Sequence, residues 1–175
     1  MNDFLDEELQ IMNEQDSART TLDSNTFKRP IEDMNFPKPI CLDVSSTLGE
    51  AIDIMQSKSF GSILITKDDI IEGILTERDI LLKVIGKDEN WRSANICEYM
   101  THNPLCLQKG DEIAYVLNNM HVGGYRHVPI IDKDRKPIGI VSIKDITSFI
   151  LDHFNEEVTN LTGEPYRGPV SRESA

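Results

Sequence analysis

The sequence predicts an α+β protein made of two tandem β-α-β-β-α units, packed through their sheets with pseudo-twofold symmetry. Three observations predict it. First, the chain repeats itself. Pro39-Ile40-Cys41-Leu42 recurs as Pro104-Leu105-Cys106-Leu107, Met55 falls on Met120, and Ile65 on Ile130. After one inserted residue, Gly73-Ile74-Leu75-Thr76-Glu77-Arg78-Asp79-Ile80 aligns with Gly139-Ile140-Val141-Ser142-Ile143-Lys144-Asp145-Ile146. Upstream, Ile31-Glu32-Asp33-Met34 resembles Ile96-Cys97-Glu98-Tyr99-Met100. Ordered self-similarity of this kind marks repeated structural units. Second, helical spacing and β-branched runs alternate in the same order in both copies. Third, a unit this small gains little stability alone, so the two should bury their sheets against each other.

The elements follow in order. Ile40 to Val44 and Leu105 to Leu107 suit short strands. Ser45-Ser46-Thr47 and Lys109-Gly110-Asp111 then supply helix N-cap residues, and Thr47 with Glu50 forms a capping box. Leu48, Ala51, Ile52 and Met55 recur at helical spacing, as do Ile113, Val116, Leu117 and Met120. Two strands follow in each copy. They are Ser62 to Ile65 and Ile70 to Leu75, joined by a turn at Lys67-Asp68-Asp69, and Val128 to Ile131 and Pro137 to Val141, joined at Asp132 to Arg135. A second helix opens at Thr76 and at Ser142. The expected organisation is an acidic N-terminal extension over 1–27, repeats over 28–92 and 93–154, and an irregular tail over 155–175. Phe4, Leu5, Leu9 and Met12 could line one face of a short helix in the extension, which is expected to be partly helical or disordered.

Composition removes several function classes. The 175 residues carry 18 Lys+Arg against 30 Asp+Glu, a formal net charge of -12. Phosphate-rich duplexes need a basic surface, so nucleic acid is not the expected partner. With 39% hydrophobic residues the chain can bury a real core. No apolar run approaches the roughly 18 residues of a membrane span, and MNDFLDEELQ lacks a signal-peptide pattern. Cys41, Cys97 and Cys106 form no CxxC and cannot all pair, which fits a reducing cytoplasm. Cys41 and Cys106, at one repeat position, are expected to be small buried strand residues.

The chemistry-bearing element is Gly-x-x-Thr/Ser-x-x-Asp, at Gly73/Thr76/Asp79 and Gly139/Ser142/Asp145. It can be read two ways. A hydroxyl followed three residues later by an acid is a helix capping box. It is also a nucleotide holder: the glycine admits close approach, the helix start favours an anion, and the carboxylate can accept both hydroxyls of a ribose.

Two tandem units ending in this element resemble a pair of CBS domains, the Bateman module. The resemblance covers about residues 28–154 and includes Tyr125-Arg126-His127-Val128-Pro129-Ile130-Ile131-Asp132. It implies a regulatory, non-enzymatic module that binds adenosine-containing ligands such as AMP, ADP, ATP or S-adenosylmethionine in clefts between the copies and pairs as a homodimer. It implies that Asp79 and Asp145 hold ribose hydroxyls, and that Thr76 and Ser142 contact ribose or phosphate. Arg78 and Lys144 would reach phosphates, and Ile74 and Ile140 would line the ligand. Arg126 and His127, after Gly123-Gly124, would add phosphate-binding groups, although an ordinary surface Arg and a hydrogen-bonded His remain alternatives. Their first-copy counterparts, Gly61 and Ser62, carry no charge, so the two clefts should differ, with one weak or vacant.

His102, His121, His127 and His153 show no HxxxH or HExxH spacing, so no metal site is expected, and no cofactor is required. No Walker A motif and no ordered catalytic constellation stand out, so no enzyme is expected. Residues 1–30 and 155–175 are too short for an enzyme, channel or DNA-binding domain, so output is expected to pass to an effector protein or through the tails. The other reading is a dimerisation or adaptor protein with vacant clefts.

Overall fold

The computed structural model describes residues 24–87 and 89–153. The helix expected in the acidic extension and the irregular tail beyond 154 lie outside the described residues. The elements are α1 (Ser24–Phe27), β1 (Cys41–Asp43), α2 (Leu48–Lys58), β2 (Ser62–Lys67), β3 (Ile70–Thr76), α3 (Glu77–Asp79), β4 (Thr101–His102), β5 (Leu107–Gln108), α4 (Ile113–Gly123), β6 (His127–Ile131), β7 (Pro137–Ser142) and α5 (Ile143–His153).

Two sheets form, in the orders β1-β2-β3-β4 and β5-β6-β7. The first strand of each copy pairs parallel to the second, with Leu42 opposite Ile65 and Leu107 opposite Ile130. The second and third strands of each copy make an antiparallel hairpin, with a bulge at Ile65/Thr66 and again at Ile130/Ile131. The matching bulges are the repeat written in backbone geometry. Asp68 and Asp69 turn the first hairpin at φ 52 and 65. Asp132 Oδ1 holds the second by accepting from Asp134 N and Lys136 N.

Each sheet is covered by its own helices on one face and by the other sheet on the second. Ile63, Ile65 and Leu75 pack under α2 with Leu48, Ala51, Ile52 and Met55. Val128, Ile130 and Val141 pack with Ile113, Val116, Met120 and Ile146. Leu64, Ile71, Ile74 and Ile131 close the space between the sheets, with Cys106 and Ile140 at its margin. Strands buried on both faces need continuous rather than alternating apolar runs, which is why Ile63-Leu64-Ile65 and Val128-Pro129-Ile130 read as they do.

The 3-10 turns that begin the two copies are exchanged. Ile31 and Met34 lie in the core of the second copy, and Ile96 and Met100 in the core of the first. Ile31 N donates to Asp111 O (2.8 Å) and Ile96 N to Ser46 O (3.1 Å), the same bond in each half. β4, which follows the second turn, completes the first sheet by pairing with β3 at Gly73 and Ile74. The glycines of the repeated motif are explained here. A side chain at Gly73 would run into Met100, and one at Gly139 into Phe36. The group that approaches these glycines is thus a side chain of the exchanged segment.

Other expectations change in detail. The first strands are shorter than expected, and Cys106 precedes β5 instead of lying in it. Cys41 is exposed, not buried, because β1 is an edge strand with no further strand beyond it among the described residues. The N-cap of α4 is Glu112, without a side-chain bond, and Asp111 accepts from Gln108 N instead. The helix after Thr76 has only three α-helical residues and continues as a π-helix over Ile80–Val84, whereas α5 runs for 11 residues.

Candidate functional site

Two cavities of about 400 and 410 Å³ open between the copies, within the range of small-ligand sites. The first is bounded by Ile74, Thr76, Arg78 and Asp79 on one wall and by the Gly123–His127 loop and Leu105 on the other. The second is bounded by Ile140, Ser142, Lys144 and Asp145, facing Lys38, Ile40 and the Ser59–Ser62 segment. Gly61, Glu77, Arg126 and His127 line both and form the wall they share. All ten residues singled out from the sequence therefore border one cavity or the other.

The hydroxyl–carboxylate elements are built alike. β3 ends at Thr76, whose Oγ1 accepts from Asp79 N while Thr76 N and Oγ1 donate to Asp79 Oδ2 at 3.0 and 2.6 Å. β7 ends at Ser142, which makes the same three bonds with Asp145, its N and Oγ lying 2.7 and 2.6 Å from Oδ2. Each is a complete capping box, so the capping reading of the motif is satisfied in both copies. Capping and ligand contact are compatible, because a carboxylate has a second oxygen.

Around that second oxygen the copies differ. Asp79 Oδ1 pairs with Lys83 Nζ at 2.8 Å and accepts from Thr101 Oγ1 at 3.3 Å. Burial alone would raise the Asp79 pKa, but its bonds to Lys83 and Thr76 outweigh that and hold the carboxyl below the usual range. Asp145 Oδ1 has no partner among the described residues. Behind Ser142 stands the 11-residue α5, whereas behind Thr76 three α-helical residues lead into the π-helical turn that carries Lys83.

The basic groups divide as well. Arg78 Nη1 spans the first cavity to donate to Gly124 O (3.0 Å). The side chains of Lys144 and Arg126 have no bonded partner among the described residues, and both residues are exposed. Burial, helped by the Arg126 charge, pushes the His127 ring below the ordinary histidine value against the opposing pull of Glu77 and Asp145. It is therefore a neutral imidazole at neutral pH. Two lining residues escaped notice as site candidates in the sequence. Phe60 and Tyr125 occupy the same repeat position and put one aromatic ring in each cavity. An aromatic just before the second strand of both copies was the available signal.

No group of three or more His, Cys, Asp or Glu able to hold a metal occurs among the described residues. No helix among them is long and apolar enough to cross a membrane.

This geometry coincides with a family match: the model of the CBS domain matches residues 31–86 and again 96–152. The chain belongs to the CBS-domain family. It carries two CBS domains in tandem, as the sequence pattern implied. The chain is 33% identical over 103 residues to the CBS domain-containing protein CBSCBSPB3 of Arabidopsis thaliana, covering 59% of this chain. It spans only 18% of that relative's length. Among solved structures, the CBS domain pair of protein MJ0100 in complex with 5-methylthioadenosine and S-adenosyl-L-methionine matches at TM-score 0.62 and 23% identity, covering 69% of this chain and 94% of that one. CBSX2 in complex with AMP matches at TM-score 0.61 and 18% identity, covering 71% and 97%. These two likenesses establish the CBS-pair fold.

Proposed function

We propose that this CBS pair is a regulatory module that binds adenosine-containing ligands, of the AMP, ADP or ATP type, in the clefts between its repeats. The observation that carries the proposal is the composition of each cavity. A hydroxyl–carboxylate element stands on one wall, an aromatic ring on another, and an unpaired Arg126 between the two cavities. A carboxylate oxygen can take ribose hydroxyls, Phe60 or Tyr125 with Ile74 or Ile140 can flank a purine, and the guanidinium suits a phosphate. The AMP bound by CBSX2 and the S-adenosyl-L-methionine bound by the MJ0100 pair support an adenosine moiety as the shared ligand chemistry.

Signalling would follow from differential affinity. A ligand touching both copies favours the relative arrangement in which both walls reach it. A homodimer, an effector protein that senses the arrangement, and a cytoplasmic location complete the proposal, which assigns the chain no reaction.

One observation favours a second reading, an adaptor with vacant clefts. Both capping boxes are complete within the protein itself, so Thr76/Asp79 and Ser142/Asp145 have a structural role without any ligand.

A thermal-shift panel of AMP, ADP, ATP, S-adenosylmethionine and GTP separates the two. A ligand at 100 times its Kd adds about 2.7 kcal/mol, which raises Tm by several degrees in a chain of this length. A shift with adenosine compounds and none with GTP supports the sensor. No shift with any of them hands the lead to the adaptor.

A further inference from the structure

We infer that Lys83 decides which of the two clefts takes a ribose: it occupies Asp79, so the cis-diol is held at Asp145 in the second cleft. The inference rests on the adenosine reading above and adds to it the site and the residue that selects it.

A carboxylate offers about four lone-pair positions. Asp79 has all of them filled. Thr76 N and Thr76 Oγ1 take Oδ2, and Lys83 Nζ and Thr101 Oγ1 take Oδ1. Asp145 has two filled, both on Oδ2 by Ser142, and its Oδ1 has no partner among the described residues. Two free acceptor positions on one oxygen match the two hydroxyls of a ribose.

Lys83 is held in place from three sides. Its ammonium has three N–H donors, and three acceptors surround it: Asp79 Oδ1 at 2.8 Å, Tyr99 O at 2.7 Å and Met100 O at 3.3 Å. Tyr99 and Met100 belong to the exchanged segment, so the lysine ties the π-helical turn to the chain that crosses over from the second copy. A diol entering at Asp79 would have to displace a cation whose donors are all used. Displacing it would also break its bonds to the Tyr99 and Met100 carbonyls.

The repeat supplies the control within the molecule. Four residues beyond Asp145 the chain carries Phe149, which is buried in the second core, where Arg29 stacks on it 5.4 Å from its ring centre. No cation can reach Asp145 from that position. The first cleft keeps Tyr125, Arg126 and Arg78, so it retains an apolar slot and an anion-binding edge, but the carboxylate of its hydroxyl–carboxylate element has no acceptor position left for sugar hydroxyls.

Calorimetric titration with AMP, and with its 2′,3′-dideoxy analogue, tests this on the full chain. The expected result is one AMP site per chain that weakens about 10- to 100-fold with the dideoxy analogue and by a similar factor in Asp145→Asn. In Lys83→Met a second site that depends on the hydroxyls appears. A merely structural role for Lys83 would lower Tm without adding that site. Two equivalent sites in the wild type, or AMP affinity unchanged in Asp145→Asn, would overturn the inference while leaving the adenosine reading intact. No AMP binding to the wild type or to Lys83→Met would remove both. The wild-type and Asp145→Asn titrations decide whether the diol is held at Asp145 alone, and can overturn the inference, even where Lys83→Met fails to fold.

Discussion

Ile31 and Ile96 hold the same position in the two copies, and each is fully buried in the core of the other copy. Their backbone bonds match as closely as their burial, since each N–H is accepted by the loop that precedes the other copy's first helix. The sequence repeat and the packing unit are therefore offset. The residues that open one repeat complete the other, and the two halves share their cores as well as the seam between their sheets.

The first prediction concerns cooperativity. Ile31→Ala and Ile96→Ala each leave a cavity at a fully buried site, which costs about 2–5 kcal/mol. Because each isoleucine belongs to one repeat by sequence and the other by packing, neither repeat can unfold without removing core from its neighbour. Urea denaturation should show one transition in the wild type and in both variants, with the midpoint lowered and the slope unchanged. A variant that unfolds in two steps would mean that the exchange does not couple the halves.

A second prediction follows from Gly139, whose missing side chain is the space that Phe36 fills. Gly139→Val should overpack this contact and destabilise by about 1–3 kcal/mol. Combined with Phe36→Ala, it should cost less than the sum of the two single changes, since the ring it meets is gone. Additive losses in a double-mutant cycle would place the strain elsewhere.

Much of this was legible in the chain. The repeat, the apolar runs, the Thr47–Glu50 cap and both hydroxyl–carboxylate boxes are local patterns, and local patterns survive translation into structure. The exchange of Ile31 and Ile96 was not legible, because similarity shows that two segments have the same role and says nothing about which core each enters. Cys41 was misjudged for a related reason. Its neighbours are those of a buried strand, but its strand lies at a sheet edge, and edge position is a property of topology. Nothing in the sequence singles out Lys83. Its role depends on a π-helical turn and on carbonyls at Tyr99 and Met100 that the fold brings near.

The third prediction is a pH dependence. His127 has a depressed pKa in the folded state, so the unfolded chain takes up a proton near the ordinary value of 6.5 while the folded chain resists it. Stability should thus fall as pH drops below that value, down to the folded pKa. Asp79 adds a separate loss at lower pH. Its folded pKa is also depressed, so its contribution is present above the ordinary 3.8 and disappears as pH falls through the folded value. Tm followed across pH in wild type, His127→Gln and Lys83→Met should show the mildly acidic slope vanish in His127→Gln alone. A slope that persists there would assign it to another group.

The fourth prediction isolates the cap from the ligand. Ser142→Ala removes the acceptor of Asp145 N and both the hydroxyl and its ordering of Oδ2, which should cost about 0.5–2 kcal/mol of stability. Asp145 keeps its bond from the backbone N of residue 142, which holds its carboxylate at the cleft wall. AMP affinity should fall far less in Ser142→Ala than in Asp145→Asn. Equal losses in calorimetry would make the hydroxyl a direct ligand contact.

Arg126 carries the last prediction. It borders both cavities, and its guanidinium has no bonded partner among the described residues. Its first-copy counterpart is Gly61, so no second arginine stands in for it. A charge-assisted bond to a phosphate contributes about 1.5–3 kcal/mol, so Arg126→Ala should weaken AMP by about 10- to 100-fold. Adenosine has no phosphate, so its affinity should hold, and the advantage of AMP over adenosine should shrink by the same factor. Raising the salt concentration should narrow the wild type toward the variant, because an exposed ion pair is screened. If adenosine loses as much as AMP, then Arg126 supports the loop around Tyr125, and the phosphate contact passes to Lys144 or Lys38 on the rim of the second cleft.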